Sequence, residues 1–458
     1  MPPFFLDWVN NELHREITMS TRRTFLKQAA GASLAVSAMS SSAASYAKIL
    51  GANDRINVVV MGVGGRGSVL TQDFANASGV VVTDLCDPDY RRCDEANAVL
   101  AENGFAKARV HSDIRKALES SDTDLIVIAA PDHWHTPGAI LGLQAGKHVY
   151  VEKPLSYSPA EGELIIKAQK KAGKVVQVGT QQRSSLETLE LIERIRNGEL
   201  GDIYKVYTWY ANRRDTIGNG KVVPAPDWLD WDLWQGPAPR REYQDNVVHY
   251  NWHWFWNWGT GETCNNAMHE VDVARWAIGG DFPDKVEARG ARLFHTDDDW
   301  EMYDTMEATF HYGDVRIEWE GNSCNRVPHH GKGRGTLLYG TNGSAFVDRN
   351  GFEIYDLNGK LVHEAQAEAA SATTDTRGGG PLNTLHIDNF LGVVRGTVSE
   401  QHAPVLEGHK STLMCHLANM AYRTGETLDC DPSNGRPVNE AADKLWSREY
   451  EPGWEPTV

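Results

Sequence analysis

The chain has 458 residues, of which 41% are hydrophobic and 23% are charged, and its formal net charge is −17 at pH 7. This length and composition are typical of a globular protein with about two domains. The negative charge argues against nucleic acid and anionic membrane surfaces as partners, because their phosphates would repel the protein. Six scattered cysteines without a C-x-x-C pair predict no metal site.

The first fifty residues differ in composition from the rest of the chain. Residues 21–27 read Thr-Arg-Arg-Thr-Phe-Leu-Lys, an apolar run rich in Ala and Ser follows over 29–38, and small residues continue to 47. This order is typical of a twin-arginine export signal, so residues 1–50 are predicted to be an extension plus signal peptide. We expect the twin-arginine machinery as a partner, a periplasmic or otherwise exported protein, and no membrane attachment after cleavage. The alternative is an amphipathic helix, which the short, interrupted apolar run disfavours.

Short apolar runs alternate with helical stretches over residues 51–181. This order predicts a doubly wound Rossmann domain with a parallel sheet. The predicted strands are 56–61, 80–85, 108–111, 124–130, 147–151 and 174–178, and the predicted helices are 68–77, 89–103, 114–119, 137–145 and 159–172.

The pattern changes over residues 182–458. Alternating runs separated by Gly-Asp and Asn-Gly turns predict a second α/β domain with a large open, mainly antiparallel sheet. A long Trp/Pro-rich segment over 212–260 precedes it, and 365–380 is predicted to be a mobile loop. The predicted strands are 203–210, 286–294, 304–312, 314–320, 336–340, 344–348 and 352–356, and the predicted helices are 185–197, 265–277, 383–396 and 408–424.

A glycine loop follows the first predicted strand and reads Gly62-Val63-Gly64-Gly65-Arg66-Gly67. In a G-x-G-x-x-G loop the first glycine allows a tight turn, the second lets backbone N–H groups approach a pyrophosphate, and the third lets the helix pack on the strand. Asp87 ends the second strand, where it can accept ribose hydroxyls. These residues predict bound NAD rather than a structural turn, although Arg91 and Arg92 leave NADP possible.

Two later strand ends carry polar side chains. Glu152-Lys153-Pro154 follows the fifth strand, at the edge where open α/β sheets bind ligands. A lysine there can donate to a substrate oxygen and stabilise the developing negative charge, whereas the alternative is a solvated pair before a turn proline. Pro131, Asp132, His133, Trp134 and His135 follow the fourth strand and are predicted to border the nicotinamide, and Gln181 follows the sixth.

Several motifs together resemble the Gfo/Idh/MocA family of oxidoreductases. They are GVGGRG, LCDPD, AAPDHWHTP, EKP and GTGETCNNAMHEVDVARW, and the resemblance continues through GTLLYGTNGSAFVDRNG and HIDNFLGVVRG to GHKSTLMCHLANMAYR, so that it covers nearly the whole mature chain. The resemblance implies a Rossmann domain followed by an open-sheet domain that often forms dimers or tetramers, bound NAD or NADP, and carbohydrate or cyclitol substrates. It also implies that Lys153 is the catalytic lysine and that His135 lies near the cofactor. The predicted cofactor-binding residues are Gly62, Gly64, Gly65, Arg66, Gly67, Asp87, Pro131, His133, Trp134, His135, Glu152, Lys153 and Gln181.

The resemblance also places a second catalytic element on the helix at 265–277. The family usually has an Asp followed four residues later by a His, and here these positions hold Asn265 and His269. His269 can accept a hydroxyl proton, whereas Asn265 can orient a hydroxyl but cannot take its proton. Asp272 either fixes the His269 tautomer or caps a surface face. The predicted substrate residues are Lys153, Asn265, His269, Trp256 and Arg183.

Eight of the fifteen tryptophans lie between Trp209 and Trp258, and such indole rings can stack on sugars or simply pack together. Three functions follow as hypotheses: an exported oxidoreductase for sugars or cyclitols that recycles a tightly bound cofactor, a redox-neutral enzyme that cleaves glycosides by transient oxidation and elimination, and a non-catalytic sugar-binding protein.

Overall fold

The computed structural model describes residues 55–367 and 380–458. The predicted signal over 1–50 and most of the predicted loop over 365–380 lie outside these ranges. Within them, none of the helices combines the length and the apolar character that crossing a membrane requires.

The first domain is built on a six-stranded parallel sheet with the order β3-β2-β1-β4-β5-β6. Both β1 and β4 consist largely of buried aliphatic residues, as a sheet covered by helices on both faces requires. The predicted Rossmann fold is therefore confirmed. Its elements are β1 (Ile56–Met61), α1 (Gly65–Asn76), β2 (Val80–Cys86), α2 (Tyr90–Glu102), β3 (Arg109–His111), α3 (Ile114–Ala117), β4 (Leu125–Ile128), α4 (Asp132–Gln144), β5 (His148–Val151), α5 (Pro159–Ala172) and β6 (Val176–Val178).

Helix α4 begins five residues earlier than predicted. The prediction placed Pro137 at the first helical position, where proline is favoured, but the helix starts at Asp132 and Pro137 lies inside it. An internal proline leaves the carbonyl four residues earlier without its N–H donor. Here the guanidinium of Arg448 donates to the His133 carbonyl at 2.7 Å, which compensates for the missing bond.

The second domain contains a nine-stranded sheet with the order β14-β13-β12-β11-β7-β10-β9-β8-β15. Only β7 and β10 pair in parallel, so the predicted mainly antiparallel sheet is confirmed. Its elements are α6 (Leu186–Arg196), β7 (Ile203–Ala211), α7 (Trp231–Gln235), α8 (Met268–Ile278), β8 (Lys285–Ala291), β9 (Thr305–Tyr312), β10 (Val315–Asn322), β11 (Arg334–Gly340), β12 (Ser344–Asp348), β13 (Gly351–Tyr355), β14 (Leu361–Gln366), α9 (Pro381–Val394), α10 (Val405–Thr424), β15 (Leu428–Asp429) and α11 (Glu440–Asp443).

Helices α8 and α10 cover one face of this sheet and share its main hydrophobic core. Helix α9 behaves differently, because Ile387, Phe390 and Leu391 are buried in the core of the first domain. A helix placed by sequence order in the second domain therefore completes the first. This packing brings the chain after residue 380 back to the carboxyl edge of the parallel sheet.

The Trp/Pro-rich segment over 212–260 forms its own small core between the two domains. It reaches the Rossmann domain where the Asp230 N–H donates to the Pro88 carbonyl at 3.0 Å and the Arg91 guanidinium lies 3.5 Å from the centre of the Trp228 ring. The segment thereby covers the side of the parallel sheet at which β1 and β2 end.

Candidate active site

A cleft of about 670 Å³ lies at the carboxyl edge of the parallel sheet, between the Rossmann domain, the second domain and the Trp/Pro-rich segment. Most of the predicted site residues line it, although they come from distant parts of the chain. They are Gly62, Gly64, Gly65, Arg66, Asp87, Pro131, Trp134, His135, Glu152, Lys153, Gln181, Asn265 and His269.

The glycine loop has the shape that a pyrophosphate needs. Gly62 has a φ of 79°, and a Cβ there would lie 2.5 Å from the Ala130 nitrogen. A Cβ on Gly67 would lie 1.7 Å from the Gly62 carbonyl oxygen, so Gly67 does not line the cleft but lets α1 approach the strand. No side chain caps the N-terminus of α1. A dinucleotide therefore fits, with its pyrophosphate at this helix N-terminus.

Asp87 lies where the adenosine ribose of NAD would bind. Its two carboxylate oxygens accept the Val63 and Asp89 N–H groups, each at 2.9 Å, and burial raises the pKa of this carboxyl to about 6. Arg91 does not offer a site for a 2′-phosphate, since its guanidinium pairs with Asp89 at 2.8 Å. Arg92 pairs with Glu95 at 3.1 Å. These contacts favour NAD over NADP.

Glu152 and Lys153 are held by the residues around them. Glu152 accepts from Arg66 at 2.8 Å and from the Gln181 amide at 2.9 Å. Burial alone would raise the pKa of Glu152, but the charges of Arg66 and Lys153 and the hydrogen bond from Arg66 together outweigh it and keep this pKa below its ordinary value. The ionised carboxylate, which accepts two hydrogen bonds, fixes the backbone from which Lys153 extends, and its burial rules out the alternative of a solvated Glu/Lys pair.

Lys153 reaches across the cleft to the second domain. Its Nζ donates to the Asn265 carbonyl oxygen at 2.7 Å and approaches the Asn265 Oδ1 at 3.3 Å. Asn265 lies in a π-helical turn over Thr263–Ala267, and α8 follows with His269 in its first turn. The prediction of one continuous helix from Asn265 is thus wrong in detail, but both side chains line the cleft.

His269 is 6% exposed, and its Nε2 has no hydrogen-bond partner among the described residues. Burial, followed by the charges of Arg349 and Lys153, holds the pKa of His269 well below its ordinary value. The imidazole is therefore neutral at physiological pH and can accept a proton. A hydroxyl group bound in the cleft would supply the missing partner.

These charge states predict a bell-shaped dependence of kcat/KM on pH. Burial, with Arg349 and Arg334, lowers the pKa of Lys153 against the opposing charges of Glu152 and Asp132. We expect kcat/KM to fall as the pH rises through the pKa of Lys153, which lies below the ordinary lysine value of about 10.4. We also expect kcat/KM to fall as the pH drops through the pKa of His269, which lies below the ordinary histidine value of about 6.5. A profile measured with saturating NAD tests this, and an acid limb above the ordinary histidine value would contradict it.

His135 and Trp134 serve partly to hold the local structure. The two ring nitrogens of His135 face the Pro154 carbonyl at 2.6 Å and the Ala130 carbonyl at 2.8 Å, so this ring contacts the cofactor region but offers no free nitrogen. Trp134 lines the cleft and donates to the Trp234 carbonyl at 3.0 Å. His133, also predicted to contact the cofactor, does not line the cleft, because its fully buried ring bonds to the same Trp234 carbonyl.

Two predicted substrate residues also lie elsewhere. Arg183 is 3% exposed and forms a two-pronged pair with Asp272 at 2.8 and 2.9 Å, so its charge is neutralised inside the second domain. Asp272 consequently neither fixes the His269 tautomer nor caps a surface face. Trp256 lines a separate cavity of about 350 Å³, where the Arg423 guanidinium lies 4.8 Å from the centre of its ring.

The cleft contains residues that the sequence did not predict individually. Trp234, Tyr250, Trp252 and His253 come from the Trp/Pro-rich segment, which the aromatic runs had marked only as a group. Arg349 comes from the turn after β12, where an Arg-Asn-Gly sequence indicates no more than a hairpin. No metal-ligand cluster occurs among the side chains of residues 55–367 and 380–458.

Comparison with known proteins gives a consistent family. Residues 56–180 match the family described as "Oxidoreductase family, NAD-binding Rossmann fold", and residues 203–376 match "Oxidoreductase family, C-terminal alpha/beta domain". The chain is 31% identical over 225 residues to an inositol 2-dehydrogenase of Salmonella paratyphi B, covering 49% of this chain and 54% of that protein. It is 28% identical over 154 residues to a glycosyl hydrolase family 109 protein of Shewanella pealeana, covering 33% of this chain and 34% of that one.

The chain therefore matches only 34% to 54% of the length of these relatives. Among solved structures, aldose-aldose oxidoreductase from Caulobacter crescentus superposes with a TM-score of 0.62 at 17% identity, over 82% of this chain and 99% of that chain. This likeness supports the same two-domain fold. The two family matches together cover more than half of the chain, and the glycine loop that lines the cleft has the geometry of a dinucleotide-binding loop. The chain therefore belongs to the Gfo/Idh/MocA oxidoreductase family.

Proposed function

We propose that the protein transfers a hydride between NAD and a hydroxyl-bearing carbon of a sugar, sugar derivative or cyclitol. The observation that carries this proposal is the pair formed by Lys153 and His269, a charged amine and a neutral imidazole that line one cleft at the carboxyl edge of an NAD-binding sheet. NAD, when bound, supplies the hydride acceptor.

The chain's own residues handle the proton and the oxygen. His269 takes the hydroxyl proton at its unpartnered Nε2, while the hydride leaves the carbon that bears this hydroxyl and a carbonyl forms. Lys153 donates to the oxygen as negative charge develops on it, and the amide of Asn265 orients the hydroxyl. In the reverse direction His269 returns the proton.

The test is the absorbance of reduced nicotinamide during titration of the NAD-loaded protein with a panel of sugars and inositols. A substrate-dependent rise supports the proposal. Binding without any absorbance change and without any change in the bound sugar, with either NAD or NADP, would instead support the non-catalytic sugar-binding protein.

We further propose that the cofactor is held tightly and recycled in place. The Trp/Pro-rich segment covers the adenosine end of the cleft and is tied to the Rossmann domain by the Arg91 and Trp228 contact. Release of NAD would require this segment to move. A twin-arginine signal in residues 1–50 would fit such retention, because proteins exported by that route fold before they cross the membrane.

Substitution Arg91→Ala should therefore speed the release of NAD by about tenfold, since a cation–π contact contributes about 1–2 kcal/mol. Arg115→Ala is a matched control: Arg115 also pairs with an aspartate and lies 4.5 Å from a tryptophan ring centre, that of Trp454, but makes no contact with the segment. Stopped-flow fluorescence of bound NADH measures both rates. Equal rates in the two variants would remove the segment as the retaining element.

Export and assembly are also proposals. Cell fractionation tests export: we expect the variant that carries Arg22→Lys and Arg23→Lys to be retained inside the cell. For assembly, the sheet face opposite α8 and α10 carries a hydrophobic cluster of Trp209, Leu337 and Phe346, flanked by half-buried tyrosines. We propose that a second copy covers this face, and sedimentation velocity tests for a dimer or tetramer.

A second candidate is redox-neutral glycoside cleavage, favoured by the likeness to glycosyl hydrolase family 109 proteins. Oxidation of a ring hydroxyl acidifies the neighbouring C–H, and loss of that proton expels the aglycone. Addition of water and return of the hydride restore the hydroxyl and the cofactor. Release of nitrophenol from nitrophenyl glycosides with no net change in nicotinamide absorbance would favour this reaction over net oxidation.

A further inference from the structure

Arg349 is a cation of the cleft that has no partner among residues 55–367 and 380–458. It follows β12 in the turn before β13, is half-buried, and lines the same cleft as Lys153 and His269. Among the residues that the structure describes, no side chain or carbonyl forms an ion pair or hydrogen bond with its guanidinium. The other buried arginines near the site are paired.

The carboxylates around Arg349 are engaged elsewhere. Glu270 binds Arg334 through both oxygens at 2.7 and 3.0 Å, and Glu152 binds Arg66 at 2.8 Å. Two further carboxylates also accept hydrogen bonds from other residues: Asp132 accepts from the Thr260 hydroxyl, and Asp348 accepts from the Asn350 N–H at 2.7 Å. None of these four carboxylates forms an ion pair with Arg349, so its guanidinium charge has no direct counterion among the described residues.

Such an arrangement is costly without a ligand. A partly desolvated guanidinium that lacks an acceptor loses hydration without compensation. Burial and the neighbouring Arg334 charge accordingly lower the pKa of Arg349 to about 9. Its planar fork matches the two oxygens of a carboxylate or the oxygens of a phosphate. In a chain with a net charge of −17, a locally positive cleft also attracts anions selectively.

We propose that Arg349 binds an anionic group on the substrate, so that the preferred ligand is a negatively charged sugar, such as a sugar acid. This inference rests on the proposed function and names its substrate class. The position of Arg349 favours the substrate over the cofactor pyrophosphate, because its charge acts on His269 more than that of any other side chain. The pyrophosphate cradle lies instead at Gly64 and Gly65, at the start of α1.

The experiment compares matched neutral and acidic sugars on the NAD-loaded protein by titration calorimetry. The pairs are glucose with glucuronate and galactose with galacturonate, and the corresponding 6-phosphates separate carboxylate from phosphate recognition. For at least one pair we expect the acidic member to bind about 10- to 100-fold tighter, the range of a charge-assisted, two-pronged contact. Arg349→Gln should abolish this preference, and Arg349→Lys should retain part of it.

Lys332→Met is the matched control, since Lys332 is a half-exposed cation near the same turn but does not line the cleft. It should leave the preference unchanged. Equal affinity for the neutral and acidic members of every pair would overturn the inference, as would a loss of NAD affinity in Arg349→Gln as large as the loss of acid binding. A preference for acids without nicotinamide reduction would leave the inference standing and reject hydride transfer instead.

Discussion

Lys153→Ala should lower kcat by about 10²- to 10⁴-fold while changing the Kd of NAD by less than about threefold. The amine is the charged donor of the cleft that reaches the Asn265 side. It acts most strongly when negative charge develops on the substrate oxygen, so its loss affects the transition state more than the ground state. Steady-state kinetics and NAD fluorescence titration measure the two effects.

The control for this substitution is Lys147→Ala. Lys147 is also buried, at 7% exposure, and donates to a backbone carbonyl, that of Ser120, at 3.0 Å, but it lies outside the cleft. Its loss should lower the free energy of unfolding by about 1–3 kcal/mol and leave kcat nearly unchanged. Turnover of Lys153→Ala within tenfold of the parent enzyme would remove this lysine from the mechanism.

His269→Ala should likewise lower kcat by about 10²- to 10⁴-fold, because His269 is a neutral base with an unpartnered Nε2 in the cleft that Lys153 also lines. The acid limb of the pH profile should disappear with it. Added imidazole should restore part of the activity, since the substitution leaves a cavity where the ring lay.

His148→Ala serves as its control. His148 accepts the Val175 N–H at 3.1 Å at the start of β5 and does not line the cleft. It should show parent kinetics and no response to imidazole. An acid limb that persists in His269→Ala would assign proton transfer to another group.

The sequence predicted the parts of the site that depend on local backbone geometry. The glycine loop and the Glu152-Lys153 strand end follow from strand and turn patterns, which a parallel sheet gathers at one edge. The meeting of Lys153 with Asn265 across 112 residues followed from the family resemblance rather than from spacing.

The predicted site residues that the structure places outside the cleft are side chains whose partners are distant in sequence. Arg183 follows a strand end, yet Asp272, 89 residues away, neutralises it in the interior. Trp256 and Trp252 belong to the same aromatic run, but an irregular segment gives no periodicity that tells which ring faces the cleft. The sequence did not predict Arg349 as a site residue, because a charged residue in a hairpin turn is usually solvated.

The central claim concerns a sugar whose hydroxyl binds between Lys153 and His269. The carbon that bears this hydroxyl transfers its hydrogen to NAD as a hydride. The most direct measurement is a single turnover of the NAD-loaded protein with ring-deuterated glucuronate, galacturonate, glucose, galactose or inositol, followed by mass spectrometry of the recovered cofactor. The account predicts deuterium in the nicotinamide ring with at least one of these substrates, and its loss in Lys153→Ala and His269→Ala. A cofactor that stays free of deuterium with every substrate that binds would contradict it.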